Sequence, residues 1–146
     1  MIRPLNIKEY GQRKEIIEVR DRIGDCFDGH EDGNRHIYVY ELDGKVMGEG
    51  ALRYDTGDAD YTIQGERVYM SRVIVDYRYR NQGIGTKIIN HLIQVAKAQG
   101  FKEISIGVDE DNDPARHLYH KLGFTVVIFK GEDEGGKYLK LLKKIN

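Results

Sequence analysis

The sequence predicts an α/β or α+β protein in which helices flank a sheet, and three observations carry that reading. Two stretches hold apolar residues at helical spacing, several short runs rich in Val, Ile and Tyr read as strands, and glycines with turn-type neighbours punctuate the junctions.

Taken in order, "YGQRKEIIEVRDRI" places Ile16, Ile17, Val19 and Ile23 at roughly helical spacing and predicts a first helix. "DCFDGHEDGN" holds Gly29, Gly33 and Asn34 and reads as an acidic loop. "RHIYVYELDGKVMGEGALRY" reads as a hairpin turned at Asp43-Gly44. The polar stretch "DTGDADYTIQGE" leads into the strand "RVYMSRVIV". A helix over Thr86 to Gln99 puts Ile88, Ile89, Leu92, Ile93 and Ala96 on one face, with Gly100 at its C′ position. "KEISIGV" is a short strand, and Asp113-Pro114 supplies an N-cap and N1 pair for a helix that stops at Gly123. "FTVVIFK" and "YLKLLKKI" are the last two strands, around the turn "GEDEGG". The expected order is α–β–β–β–α–β–α–β–β.

At 146 residues the chain reads as one domain over 1–146, long enough to bury about two-thirds of its unfolded surface. Its 32% charged and 40% apolar residues are ordinary for a soluble globular protein. A net charge of −1 argues against a broad nucleic-acid surface. No window approaches the ~18 uninterrupted apolar residues of a membrane span, and "MIRPLNIKEYGQRKEIIEVRDR" is charged throughout, without a secretory core. Lone Cys26 excludes an intrachain disulfide framework, fits a reducing cytosol and lacks the local signature of a nucleophile, so a cytoplasmic protein is expected. His30, His36, His91, His117 and His120 show no metal-ligand spacing, and no metal is assigned.

The chemistry concentrates in "RNQGIGTKII", which follows a strand and opens a helix. A helix N-terminus offers unpaired N–H groups and about half a positive charge, a ready site for phosphate. Gly83 and Gly85 remove side chains that would hold a pyrophosphate off the backbone, and Arg80 and Gln82 add donors. A Walker-type loop fails for want of a Lys-Ser or Lys-Thr pair after a suitably spaced glycine. A dinucleotide fingerprint fails because Ile88 stands where its third glycine belongs and Glu103 begins, rather than ends, the next strand.

"VIVDYRYRNQGIG" resembles the acetyl-coenzyme A signature of the GCN5-related N-acetyltransferases, with Arg80-Asn81-Gln82-Gly83-Ile84-Gly85 as the core [Q/R]-x-x-G-x-[G/A]. A second family motif, N-x-x-A-x-x-L-Y-x-x-x-G-F, is matched from Asn112 through Ala115, Leu118, Tyr119 and Gly123 to Phe124. The element order matches as well, so the resemblance covers nearly the whole chain. It implies a mixed, mostly antiparallel sheet splayed at the cofactor site. It also implies acetyl-CoA as co-substrate, its pyrophosphate held by residues Arg80 to Thr86.

By the same resemblance the backbone of Val73, Ile74 and Val75 pairs with the pantetheine arm, and an N–H near Val73 faces the thioester oxygen. Asn112 hydrogen-bonds the pantetheine, and Tyr119 protonates the departing sulfur. A phenol near pKa ~10 can protonate a poorly solvated thiolate whose thiol lies near ~8.5. The plainer reading of Tyr119 is a core aromatic beside Leu118 and Leu122. Tyr69 occupies the strand position where several members carry a basic glutamate, and at pKa ~10 it is no base at neutral pH. Glu66 falls on the opposite strand face from Tyr69. Glu49, on the neighbouring strand, is a candidate to act through water or else a solvent-facing strand residue, so Glu49, Glu66 and water all stay open as the base. Glu49 and Tyr69 are the expected substrate-side residues.

The resemblance walls the acceptor with the loop after the first helix and the turn between the last two strands, here "DCFDGHED" and "GEDE". Carboxylates there favour a small cationic amine by steering and pairing, or are plain solvated surface. The expected activity is transfer of acetyl to a primary amine, of a small molecule or an exposed protein site, by direct attack. A non-catalytic acyl-CoA-binding or regulatory module of the same fold is the alternative. A monomer and a homodimer both stay open.

Overall fold

The computed structural model describes residues 1–5 and 34–146. The helix expected at 10–23, the acidic segment "DCFDGHED", Cys26 and His30 lie outside the described residues. The chain divides into two compact units, one of Met1–Leu52 with Arg72–Leu92, the other of Arg53–Ser71 with Ile93–Asn146.

In the first unit, β1 (Ile2–Pro4), β2 (Arg35–Leu42) and β3 (Lys45–Arg53) precede the end of β4 (Arg67–Val75), in the strand order β1-β2-β3-β4. Asp43 and Gly44 take φ of 53° and 77°, the paired left-handed conformation of a two-residue hairpin turn, as the Asp-Gly signal predicts. β1 pairs antiparallel with β2 from Ile2↔Tyr40 to Pro4↔Tyr38. Sequence patterning gives no strand there, because three residues ending in proline carry no period and proline fits only at a sheet edge.

The first described helix, α1 (Ile84–Ala98), begins two residues before the expected Thr86. Its predicted stripe is the buried one: Ile88, Ile89, Leu92, Ile93 and Ala96 are at most 5% exposed. β3 receives the helix through two glycines. A Cβ at Gly50 would lie 2.7 Å from Ile88 Cγ2, and one at Gly48 would lie 2.9 Å from the Ile74 carbonyl oxygen and 3.0 Å from Ile88 Cδ1. Only glycine allows that approach. On the other face of β2 and β3, Ile37, Val39 and Ala51 form a core with Leu5.

In the second unit the strand order is β4-β5-β7-β6, with β5 (Glu103–Asp109), β6 (Val126–Asp133) and β7 (Gly136–Lys144). β4 and β5 run parallel, but their ladder covers only Arg67↔Glu103, Val68↔Ile104 and Tyr69↔Ser105. The ladder stops at Tyr69, and β5 continues to Asp109 paired with β7. The remaining pairs, β5–β7 and β6–β7, are antiparallel, with a bulge between Val127 and Phe129. "GEDE" is not a four-residue turn: Glu132 and Asp133 extend β6, paired with Lys137 and Gly136.

α2 (Asp113–Lys121) is capped by Asn112, whose side-chain oxygen accepts from the Ala115 N–H at 3.2 Å. The expected cap, Asp113, is the first helical residue instead, with Pro114 behind it. The helix ends at Leu122, and Gly123 takes φ of 99° as the left-handed C′ residue.

Candidate active site

In the first unit, a short 3₁₀ turn (Tyr77–Tyr79) joins β4 to the glycine loop. Its foundation is Asp76, a fully buried carboxylate that sequence reading passes over. Asp76 accepts from the Arg78 backbone N–H at 3.0 Å and from the Arg78 guanidinium at 3.0 and 2.8 Å, while its own N–H donates to the Met47 carbonyl at 2.8 Å. A buried carboxylate is tolerated where charge and hydrogen bonds meet it together. Arg80 then donates from Nε to the Val75 carbonyl at 3.3 Å, which folds its side chain back along the loop.

Asn81 and Gly83 take φ of 65° and 78°. Asparagine enters the left-handed region with less penalty than most residues, and glycine enters it freely. The Gly83 carbonyl accepts from the Lys87 N–H at 3.1 Å, so Gly83 is the N-cap and Ile84, Gly85 and Thr86 are the first three helical residues. A glycine cap has no side-chain oxygen, and the first turn carries no acid. The leading N–H groups are therefore left for another acceptor. A Cβ at Gly83 would meet nothing within 4 Å, and one at Gly85 would meet only Val75 Cγ2 at 3.7 Å. Packing does not require so small a residue at Gly85, whereas an anion seated on these amides does, in keeping with the glycine or alanine of the motif. The residues fit a pyrophosphate.

The second unit contains a cavity of about 510 Å³. It brings together Tyr69, Asn112 and Tyr119, named from sequence, with Asp58, Tyr61, Asp133, Tyr138 and Lys140. Tyr119 stands edge-on to Phe124 at 5.9 Å. Burial, then the neighbouring Tyr69, pushes its hydroxyl above the ordinary phenol range, so it stays protonated through neutral pH. Tyr61 stacks at a tilt on Tyr69 with centroids 4.5 Å apart, and burial followed by Tyr69 pushes its hydroxyl up to about 12. Ser105 fixes the Tyr61 backbone by donating to its carbonyl at 2.6 Å. Gly107 makes room for the ring, since a Cβ there would lie 2.7 Å from the Tyr61 hydroxyl.

Lys140 anchors this wall. Its ammonium donates to Asp58 at 2.7 Å and Asp60 at 3.1 Å, and lies 4.5 Å and 4.8 Å from the ring centres of Phe129 and Tyr61. Burial alone would lower its pKa, but the hydrogen bonds and charges of the two aspartates outweigh that and raise it. The same Lys140 hydrogen bond holds the Asp58 carboxyl below its usual range. The loop carrying these aspartates is further tied by the Arg67 guanidinium, which donates to the Ala59 and Asp60 carbonyls at 3.2 and 2.9 Å. No local pattern announces a lysine pairing with aspartates some 80 residues earlier. The one signal is parity, because Lys140 sits at strand period two from buried Leu142.

Glu49 is not solvent-facing: it is 1% exposed. Gly48 and Gly50 face α1, so alternation turns Glu49 to the opposite side of β3. Glu66 precedes β4 and lines a separate hollow with Lys102, Glu103 and Lys144, away from the residues around Tyr119. Val73, Ile74 and Val75 are half-buried at the end of β4. Asn112 uses its side-chain oxygen in the α2 cap, which leaves its amide as the donor for a ligand. His117 and His120 are exposed, as expected. Among the described residues no cluster of His, Cys, Asp and Glu is arranged to hold a metal ion. Among them, too, no helix is long and apolar enough to cross a membrane.

The family profile described as Acetyltransferase (GNAT) family matches residues 1–124. The chain belongs to this family. N-acetyltransferase 8B of Homo sapiens is 33% identical over 89 residues, which cover 60% of this GNAT chain and 37% of that protein. The GNAT chain thus spans well under two thirds of that relative's length. Among solved structures, the ribosomal-protein-S18-alanine N-acetyltransferase of Escherichia coli superposes with a TM-score of 0.79 at 16% identity, covering 100% of this chain and 94% of that one. A Salmonella typhimurium acetyltransferase, solved with its cofactor acetyl-CoA, superposes with a TM-score of 0.73 at 20% identity, covering 100% and 94%. At those identities the two structures speak for the GNAT fold.

Proposed function

We propose that this chain, acting as one GNAT domain over 1–146, transfers the acetyl group of acetyl-CoA to a primary amine by direct attack, and that the acceptor is a small cationic amine of the cytoplasm. The observation that carries the reading is the cavity in which Tyr119 and Asn112 meet Tyr69, the residue where the β4–β5 ladder ends. A protonated phenol lining a cavity suits a thioester whose sulfur needs a proton.

In this reading the amides of Ile84, Gly85 and Thr86 hold the pyrophosphate, with Arg80, Asn81, Gln82 and Gly83 shaping the approach. The backbone of Val73, Ile74 and Val75 pairs with the pantetheine, and the N–H near Val73 stabilises the oxyanion as the amine attacks the carbonyl carbon. As the carbon–sulfur bond breaks, the Tyr119 hydroxyl gives its proton to the sulfur and is reprotonated from solvent. The proton lost by the amine leaves through water. Asp58 is a poor base because Lys140 holds its carboxyl low. The remaining pocket carboxylates attract the ammonium form.

Two expected results belong here. A raised Tyr119 pKa means that the acid stays loaded at least to the ordinary phenol range, about pH 10. The rate is then expected to climb with amine deprotonation from about pH 7 to about pH 9, without an alkaline fall from Tyr119 in that window; a pH profile of kcat measures it. Of the hairpin acids only Asp133 lines the cavity. Exposed pairs are worth ~0–1 kcal/mol, so Asp133→Asn is expected to raise the KM of a dicationic amine by up to about fivefold. Glu132→Gln should leave it unchanged, and raised salt should raise it less in the Asp133→Asn protein than in the native one.

The test is amine-dependent release of CoA thiol over a panel of primary amines. Turnover with small cationic amines supports the reading. Acetyl-CoA binding with no turnover on any amine would favour the non-catalytic module.

A further inference from the structure

The lining of the Tyr119 cavity has a charge pattern that bears on which amines can enter. Among its described residues are three carboxylates, Asp58, Asp109 and Asp133, and one cation, Lys140. That cation is already committed. Two of its donors are bound by Asp58 and Asp60, its side chain is 9% exposed, and the Phe129 and Tyr61 rings flank its ammonium. The two aspartates are themselves held in place, since the Asp60 N–H donates to Asp58 Oδ1 at 2.9 Å and Arg67 ties the loop between them. An incoming ammonium therefore meets tyrosine faces and surplus negative charge, both favourable to a cation. An incoming carboxylate meets the same surplus and, among the described residues of the lining, no cation free to pair with it.

Resting on the acetyl-transfer reading, we propose that the Asp58–Lys140–Asp60 cluster is a specificity filter. By holding the pocket's cation occupied, it admits amines that carry no carboxylate, diamines above all, and rejects the corresponding amino acids. Lys140 is a positioning residue in this account and does not touch the acceptor. Discrimination against the amino acid comes from what the site withholds as much as from what it offers.

The probes are 1,5-diaminopentane and lysine, which share the same amine-bearing chain and differ by the carboxylate. Affinity for each is measured by calorimetry with CoA present, in the native protein, in the Asp58→Asn/Asp60→Asn double variant and in Lys140→Gln, each shown to be folded by circular dichroism. The native protein is expected to bind the diamine at least about tenfold more tightly than lysine. The double variant frees the Lys140 ammonium, so that preference should fall about tenfold or reverse. Lys140→Gln removes the cation and should keep or widen the preference, which a merely structural role would not predict. Equal native affinities, no binding of either amine, or the same preference in the double variant would overturn the filter. Failure of acetyl transfer reads out separately: a diamine preference with no thiol release on any amine would leave the filter standing and overturn the transferase reading.

Discussion

Tyr119→Phe is expected to lower kcat by about 10²–10⁴-fold, the usual worth of a positioned general acid, with a smaller loss if water replaces part of the proton transfer. Stability should change little, because the variant keeps the ring that stands against Phe124. Among the described residues, moreover, the hydroxyl makes no hydrogen bond that would be lost. Acetyl-CoA affinity should also hold. The measurement is single-turnover kinetics alongside thermal unfolding. An unchanged chemical step with a lowered Tm would make Tyr119 a core aromatic and remove the proposed acid.

Gly85→Val is expected to cost binding far more than stability. Gly85 lies in the first turn of α1, its φ is not left-handed, and a Cβ would touch only Val75 Cγ2 at 3.7 Å. Valine and glycine differ by only a few tenths of a kcal/mol, roughly, in helix propensity, so Tm should nearly hold. Acetyl-CoA affinity should fall at least about tenfold, since the branched side chain stands where the pyrophosphate meets the amides. Gly85→Ala, which the motif admits, should keep native affinity. Gly83→Val should abolish binding, but less cleanly. Gly83 has φ of 78°, so a branched residue strains the loop even without the coenzyme. A folded Gly85→Val protein with native acetyl-CoA affinity by calorimetry would remove the loop from the site.

Much of the fold and half of the candidate site are legible in the sequence for local reasons. The α1 stripe follows from period, the hairpin from Asp43-Gly44, and the loop from two glycines between a strand and a helix. Of the two places the sequence leaves open for Glu49, a base acting through water or a solvent-facing strand residue, the structure removes the second. Gly48 and Gly50 mark the face that α1 covers, and Glu49 is buried on the other. The α2 cap shifts by one residue because Asn112 and Asp113 are both good caps, and sequence preference does not rank them. The partners of Lys140 are invisible for a different reason: they sit in a polar loop 80 and 82 residues away. Contacts at that separation leave no period or motif, and they build one wall of the cavity in which Tyr119 stands.

The central claim, acetyl transfer from acetyl-CoA to an amine, is tested most directly with acetyl-CoA labelled in the acetyl group. The native protein is incubated with a small diamine and the products are separated by mass spectrometry. Label recovered on the amine in step with CoA release, and more slowly in Tyr119→Phe, is the expected result. Label that stays on CoA with every amine offered, while the coenzyme is bound, would contradict the account.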